Sequence, residues 1–150
     1  MEKTLGKKVQ IHSLKVPANT SQCVYRVNID GWLTPEECQR CFLQLILKDK
    51  SGHPVAEAVH FFKKTKDLQL PPASVSYKMK QTDGKCELTL FSSTLAKDLF
   101  IEIPLQGARY SDNFFDLLPG ERKKVIITSP QIKKGEELSV NIKHIRETYK

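Results

Sequence analysis

The sequence has no apolar run near the ~20 residues that a membrane-spanning helix requires, so no membrane partner is predicted. No apolar segment follows its charged opening residues, so no signal peptide is recognisable. A G-x-S-x-G nucleophile elbow, a Gly-rich phosphate loop and an H-E-x-x-H zinc motif are also missing. The histidines are too widely spaced to form a ligand set: His12, His53, His60 and His144. We therefore predict no catalytic residue, no metal and no cofactor in this chain.

The sequence has four cysteines, and only Cys38 and Cys41 have the spacing of a metal or redox pair. A structural zinc site needs a second pair of ligands at similar spacing, which the sequence does not supply. A redox CxxC needs a βαβ context, which is missing too. Cys23 and Cys86 stand singly in strand-like runs, where a thiol behaves as a small buried apolar side chain. We predict four free thiols.

The formal charge of +7 raises the question of nucleic-acid binding. Lysine and arginine fall in small groups in different parts of the chain, at 7–8, 63–66, 122–124 and 133–134. Aromatic residues are not interleaved with these groups for base stacking. The pattern predicts a solvated basic surface and no nucleic-acid partner.

Alternation of apolar and polar residues predicts about nine short strands. The clearest hairpin turns at Thr82-Asp83-Gly84-Lys85, between two runs that alternate cleanly. Thr34-Pro35-Glu36-Glu37 predicts a single helical turn, with Thr as N-cap and acids where the helix dipole favours them. The tail, 146–150, is polar and is expected to fray. The predicted strands cover residues 9–16 with a bulge, 22–29, 42–47, 55–62, 75–80, 86–90, 99–105, 125–127 and 138–142.

Many short strands without an amphipathic helix predict an all-β fold, an antiparallel β-sandwich of the immunoglobulin-like kind. The double proline at Pro71-Pro72 lacks ladder amides and marks a domain junction. Residues 71–150 have enough strands for one compact sandwich. Residues 1–70 offer only four strands, whereas such a sandwich uses ~7 strands. We therefore predict that residues 1–70 are the incomplete second half of a preceding immunoglobulin-like domain.

The segment 108–121 interrupts the strand pattern and is predicted to be an anchored crossover between strands. Its short polar residues favour turns and local caps, and Pro119-Gly120 ends it. Its large apolar residues are expected to plug the end of the core. A less favoured interpretation is that Asp112 and Asp116 form a pair for acid/base catalysis. The candidate site residues of this crossover are Tyr110, Ser111, Asp112, Asn113, Phe114, Phe115, Pro119 and Gly120.

The stretch Tyr-Ser-Asp-Asn-Phe-Phe-Asp-Leu-Leu-Pro-Gly-Glu at 110–121 resembles the C-terminal immunoglobulin-like domain of β-mannosidases, in glycoside hydrolase family two. The runs 59–62 and 66–71 resemble the end of the preceding domain and its link. The resemblance implies two catalytic glutamates on a (β/α)₈ barrel upstream of Met1, and no acid here matches either motif. It also implies that the partners are the other domains of the parent enzyme, exported in bacteria or resident in lysosomes.

Three functions follow from these observations. The first is a non-catalytic accessory module that packs against and supports a β-mannosidase-like enzyme. The second is a carbohydrate-binding module for mannosides, although Trp32, Tyr110 and Tyr149 share no strand face that would align their rings. Edge or core packing is therefore the expected role of Trp32. The third is a free-standing sandwich whose N-terminal strands join the C-terminal ones.

Overall fold

The computed structural model describes residues 10–12, 14–26, 28 and 31–148. Within these residues all regular structure is β-strand or 3₁₀ turn. The strands are β1 Phe42–Lys48, β2 Pro54–Phe61, β3 Val75–Thr82, β4 Lys85–Ser92, β5 Ala96–Glu102, β6 Arg109–Tyr110, β7 Phe115–Leu117, β8 Arg122–Thr128 and β9 Asn141–Lys143. The 3₁₀ turns are Glu37–Gln39, Thr65–Asp67 and Ile145–Thr148.

The C-terminal strands form two antiparallel sheets that enclose one core. One sheet has the order β3-β4-β8-β6 and the other β7-β5-β9. Both sheets contribute to a single cluster of buried side chains: Cys86, Leu88, Leu90, Ala96, Leu99, Ile101, Ile103, Leu117, Val125, Ile127, Ile132 and Leu138. The predicted all-β immunoglobulin-like sandwich is confirmed.

Strand β4 carries the centre of this core because its sequence alternates strictly. Cys86, Leu88 and Leu90 are fully buried, while the residues between them face outward. Burial of one leucine side chain stabilises the fold by about 1.5–3 kcal/mol. The predicted hairpin with β3 is present, with pairing in register from Val75 and Ser92 to Thr82 and Lys85.

The apolar face of β3 is covered only in part. Tyr77 and Met79 share this face with Val75 by alternation, yet they are 43% and 41% exposed. Strand β3 lies at the edge of a four-stranded sheet, and the facing sheet has only three strands. The core cluster therefore takes in only Val75 from this strand, as a partly buried residue.

The predicted strands at 9–16 and 22–29 are wrong for the residues that the structure describes. Residues 10–12, 14–26 and 28 form no strand, and Val9, Val27 and Ile29 lie outside the described residues. Cys23 is exposed and not buried. A strand needs a neighbour for its backbone hydrogen bonds, and within the described part of the chain β1 and β2 form a sheet of two strands.

The helical turn after Thr34 is confirmed as Glu37–Gln39. The backbone N–H of Glu37 donates to Thr34 Oγ1 at 3.2 Å, and the N–H of Thr34 donates to Glu37 Oε2 at 2.8 Å. This reciprocal capping box satisfies two amides at the start of the turn.

The tail does not fray over its described part, because it is bonded to the segment that precedes β3. Residues Ile145–Thr148 form a 3₁₀ turn. Arg146 Nε donates to the carbonyl of Leu70 at 3.2 Å, and His144 Nε2 lies 3.2 Å from the carbonyl of Ala73. Tyr149 and the final lysine lie outside the described residues.

Candidate functional site

The crossover, residues 108–121, joins β5 to β8 and contributes one strand to each sheet. Its first strand, β6, pairs with β8, so that Tyr110 lies opposite Ile127. Its second strand, β7, pairs with β5, so that Phe115 lies opposite Leu99. The crossover therefore connects the two sheets at one end of the sandwich.

Asn113 continues the β5 ladder with its side chain. The backbone N–H of Ile101 donates to Asn113 Oδ1 at 2.8 Å, and Asn113 Nδ2 donates to the carbonyl of Ile101 at 2.9 Å. The backbone N–H and C=O of one strand residue point to the same side of the strand. One carboxamide can therefore bond both groups of Ile101. We expected Asn113 to cap its own neighbours, which it also does through the N–H of Phe114 at 3.1 Å.

Tyr110 and Ser111 fasten the other half of the crossover. The N–H of Ile103 donates to the Tyr110 hydroxyl at 3.2 Å. Ser111 Oγ accepts the N–H of Ile126 at 2.9 Å, and the N–H of Ser111 donates to the carbonyl of Ile126 at 2.8 Å. The segment is thus bonded to both sheets within four residues.

The end of the crossover is a tight turn. Gly120 has a φ of +76°, and its N–H donates to the carbonyl of Ser92 at 2.8 Å. The carboxylate of Glu121 accepts the N–H of Leu118 at 3.2 Å. Pro119 precedes this glycine, as expected for a turn that needs a positive φ at its second central residue.

The prediction that Phe114 plugs the core is wrong. Leu117 and Leu118 are buried and Phe115 is half-buried, but Phe114 is 68% exposed. Its φ is +58°, a conformation that bulky side chains rarely adopt. The carboxamide of Asn113 holds the chain on one side and the pairing of Phe115 holds it on the other, so the ring between them points outward.

Both aspartates of the crossover form ion pairs with lysine. Asp112 lies 2.7 Å from Lys123, and Asp116 lies 3.3 Å from Lys97. Lys97 Nζ also bonds Asp98 at 3.0 Å and lies 4.7 Å from the centre of the Phe61 ring. Burial alone lowers the pKa of Lys97, but the hydrogen bond and charges of Asp98 and Asp116 outweigh burial and raise that pKa overall.

These contacts give the carboxylates a structural role. Asp116 Oδ1 also accepts the backbone N–H of Asp98 at 2.9 Å, where the β5 ladder is irregular and Asp98 has a φ of +51°. Among the described residues there is no group of three or more His, Cys, Asp or Glu side chains that would hold a metal ion. The same residues include no helix long and apolar enough to cross a membrane.

The family model of the mannosidase Ig-fold domain matches residues 70–148, which are more than half of the chain. The chain belongs to the mannosidase Ig-fold family. A second model, the mannosidase Ig/CBM-like domain, matches residues 2–67. Both are immunoglobulin-type domains of mannosidases, so the chain is a non-catalytic region of that architecture. The resemblance to the C-terminal immunoglobulin-like region of β-mannosidases is confirmed.

A solved structure with the same fold is the β-D-mannosidase from Dictyoglomus thermophilum, at 23% sequence identity and a TM-score of 0.52. The match covers 67% of this chain and 12% of that enzyme. The chain thus spans only a small part of the length of that relative. The search of curated protein sequences found no match to this chain.

The thiols of this mannosidase Ig-fold chain are all free. Burial, followed by the nearby charges of Glu37 and Cys38, raises the pKa of the Cys41 thiol. Burial also raises the pKa of Cys86, which lies in the core. A raised pKa lowers the thiolate fraction and makes both thiols poor nucleophiles. Trp32 is half-buried.

Lys97 and Phe100 were not among the predicted site residues of the Ig-fold domain. Lys97 lies near the start of β5 beside Asp98, and only 11% of its side chain is exposed. A charge buried this deeply needs an ion-pair partner, because an unpaired charge is costly to bury, but Lys97 fell outside the predicted strand at 99–105 and its burial was not recognisable. Alternation in the strand predicted at 99–105 places Phe100 on the face opposite Leu99 and Ile101, but its contact with Phe114 was not recognisable from spacing.

Proposed function

We propose that this chain is an accessory module that packs against and stabilises the other domains of a β-mannosidase-like enzyme. Catalysis in such an enzyme requires two carboxylates beside a sugar pocket. In our proposal those carboxylates belong to another part of the parent protein, which would hydrolyse terminal β-mannosides. The observation that carries the proposal is an uncovered apolar face on the β1–β2 hairpin.

That face, the leucine face, consists of Leu43, Leu45, Leu47, Ala56 and Ala58, with His60 at its end opposite Leu43. The register places Leu45 opposite Ala58 and Leu47 opposite Ala56, so these side chains lie on one side of the hairpin. Leu45 is 51% exposed and Leu47 48% exposed. An apolar surface of this kind marks an interaction site in a folded protein. It has the alternation of the inner side of a sandwich.

The occupant that we propose is a β-sheet of the parent enzyme with a matching apolar face. The family match at 2–67 supports this choice, because it identifies the hairpin as part of a mannosidase Ig/CBM-like domain. Two strands alone bury little apolar surface and are marginal in water. A second sheet would bury the leucine face and complete the unit.

The link that leads to the proposed junction at Pro71-Pro72 is bonded to the residues just before the hairpin, and the end of the hairpin contacts the C-terminal sandwich. Arg40 Nε donates to Gln69 Oε1 at 2.6 Å, and Gln69 Nε2 donates to Gln39 Oε1 at 2.7 Å. Lys97 of β5 contacts the Phe61 ring at the end of β2. Of these contacts, the one between Lys97 and Phe61 joins the two units, and it supports a defined orientation between them, as a supporting module requires.

Hydrogen exchange on the 150-residue protein tests the proposal. We expect the β1–β2 amides to exchange faster than those of β4 and β8 by a factor of about 100 or more, because an uncovered hairpin opens locally. We also expect binding of a hydrophobic dye, with a marked loss in Leu45→Gln/Leu47→Gln. The matched control Tyr77→Gln/Met79→Gln changes equally exposed residues of β3 and should keep the dye. Equal protection of β1–β2 and β4 would overturn the proposal.

A further inference from the structure

Phe114 is exposed at a conformational cost. An aromatic residue at a φ of +58° pays on the order of 1–3 kcal/mol, and 68% of its surface remains in water. The ring gives little to the core, since Leu117 and Leu118 already fill that end of the sandwich. Strain of this kind is kept where the displayed group has a role.

The ring lies on a second aromatic side chain. Phe114 and Phe100 are stacked, with ring centres 4.7 Å apart and an angle of 27° between their planes. Phe100 lies on the outer face of β5, between the buried Leu99 and Ile101. It supports the inner side of the Phe114 ring and leaves the outer side open. This stacked pair, with the Phe114 ring toward solvent, is the aromatic platform.

Hydrogen-bonding side chains border this platform. Lys143 of β9 lies opposite Phe100, and Asn141 lies opposite Glu102. Asn141 Nδ2 donates to Glu102 Oε2 at 3.3 Å, and all three polar side chains are exposed. The rim therefore presents an ammonium, a carboxamide and a carboxylate on the same sheet face.

We propose that this platform binds a pyranose ring of an oligosaccharide. One side of a pyranose is a sheet of C–H groups that stacks on an aromatic ring, and its hydroxyls both donate and accept hydrogen bonds. Phe114 supplies the ring, and Glu102, Asn141 and Lys143 supply acceptors and donors at its edge. This site does not depend on the accessory role proposed above.

The size and polarity of the platform favour a sugar over a protein partner. A stable protein interface buries about 800 Å² on each side around an apolar centre. Here one aromatic pair is flanked on β5 and β9 by charged and amide side chains, which suits a small polyhydroxylated ligand.

The test is an NMR titration of the ¹⁵N-labelled 150-residue protein with β-1,4-mannotetraose, and separately with cellotetraose. We expect shifts of the amides of Phe100, Glu102 and Phe114 with at least one of the two sugars. Phe114→Gly should weaken binding by about fivefold to tenfold. Because glycine accepts a positive φ without strain, this variant should unfold no more easily than the parent.

Two further variants complete the test. Phe114→Tyr keeps the ring and should bind like the parent, whereas the matched control Tyr77→Ala removes an exposed ring from the other sheet and should leave binding unchanged. The absence of shifts at the solubility limit of both sugars would overturn the proposal and leave Phe114 as an anchor for a protein partner. Shifts that persist in Phe114→Gly would overturn it as well.

Discussion

Replacing Asn113 by alanine is expected to be among the most damaging changes to a polar residue of this fold. The variant removes the hydrogen-bond partners of the Ile101 backbone N–H and of the Ile101 carbonyl, and the side chain of Ile101 is fully buried. The lost bonds leave a backbone N–H and a carbonyl without partners in a partly buried place. Each such group costs about 1–3 kcal/mol. Water that enters the site would bond these groups and offset part of that cost. We therefore expect the free energy of unfolding to fall by about 3 kcal/mol.

The aspartate variant separates the two bonds. Asn113→Asp keeps an acceptor for the Ile101 N–H but places a carboxylate against the Ile101 carbonyl. The protonated acid can donate to that carbonyl, so the folded state holds the proton more tightly and the pKa of the introduced acid rises. Stability relative to the parent protein should then fall as pH rises above about 4. The deficit at pH 7 should shrink in acid.

Urea unfolding followed by circular dichroism gives the free energies, and exchange of the Ile101 amide gives the local effect. Asn141→Ala is the matched control, because it removes an exposed carboxamide bond to Glu102. That control should change stability by less than about 0.5 kcal/mol. If Asn113→Ala were as mild as this control, the account of the crossover as a continuation of the β5 ladder would be refuted.

Three further substitutions have expected outcomes. Lys97→Met should cost about 1–2 kcal/mol near neutral pH. The pKa of Lys97 is raised in the folded state. Its contribution to stability is therefore present below an ordinary lysine pKa of about 10.4 and is lost as pH rises through the folded value. Melting temperatures of the parent and of Lys97→Met at pH 8 and pH 11 measure this loss. Gly120→Ala should cost about 1–2 kcal/mol in urea unfolding, because the φ of +76° is strained for alanine although the added Cβ meets no atom within 4 Å. Leu88→Ala should cost about 2–5 kcal/mol in the same assay by leaving a cavity in the core.

Each of these outcomes has a contrary result. An undiminished stability difference at high pH would show that the Lys97 ion pairs contribute nothing. Gly52→Ala changes a glycine with a φ of +84° in the β1–β2 turn. Its effect on urea unfolding of the C-terminal sandwich should be negligible, so it serves as the control for Gly120→Ala, and an equally small loss for Gly120→Ala would contradict the strain at that turn. A loss below about 1 kcal/mol for Leu88→Ala would contradict its central place in the core.

Local patterns predicted much of the C-terminal sandwich. The β3–β4 hairpin was recognisable because Asp83-Gly84 supplies a turn between alternating runs. The 3₁₀ turn followed from the capping pattern at Thr34 and Glu37. These features depend on residues that are close in sequence, where propensity and period are informative.

Features that depend on distant residues were not recognisable. Asn113 bonds Ile101, twelve residues earlier, and a short amide in a turn-like segment gives no sign of that partner. Phe114 was expected in the core because it is large and apolar. Its outward orientation results from the hydrogen bonds of Asn113 and the strand pairing of Phe115. These fix the backbone on both sides so that the Phe114 ring points to solvent.

The N-terminal region shows the opposite error. Tyr25 and its neighbours alternate as a strand would, yet alternation describes only the side chains. A strand forms when a partner satisfies its amides and a second layer covers its apolar face. The described residues 10–12, 14–26 and 28 form no strand, and Val24 and Tyr25 remain 42% and 45% exposed.

The central claim is that this chain supports a larger β-mannosidase-like enzyme. Sequencing the coding DNA upstream of the Met1 codon tests it most directly. We predict that the reading frame continues, first through strands that would cover the leucine face and then into a barrel with two pocket glutamates. An in-frame stop immediately before Met1 would contradict the claim and make this a free-standing sandwich.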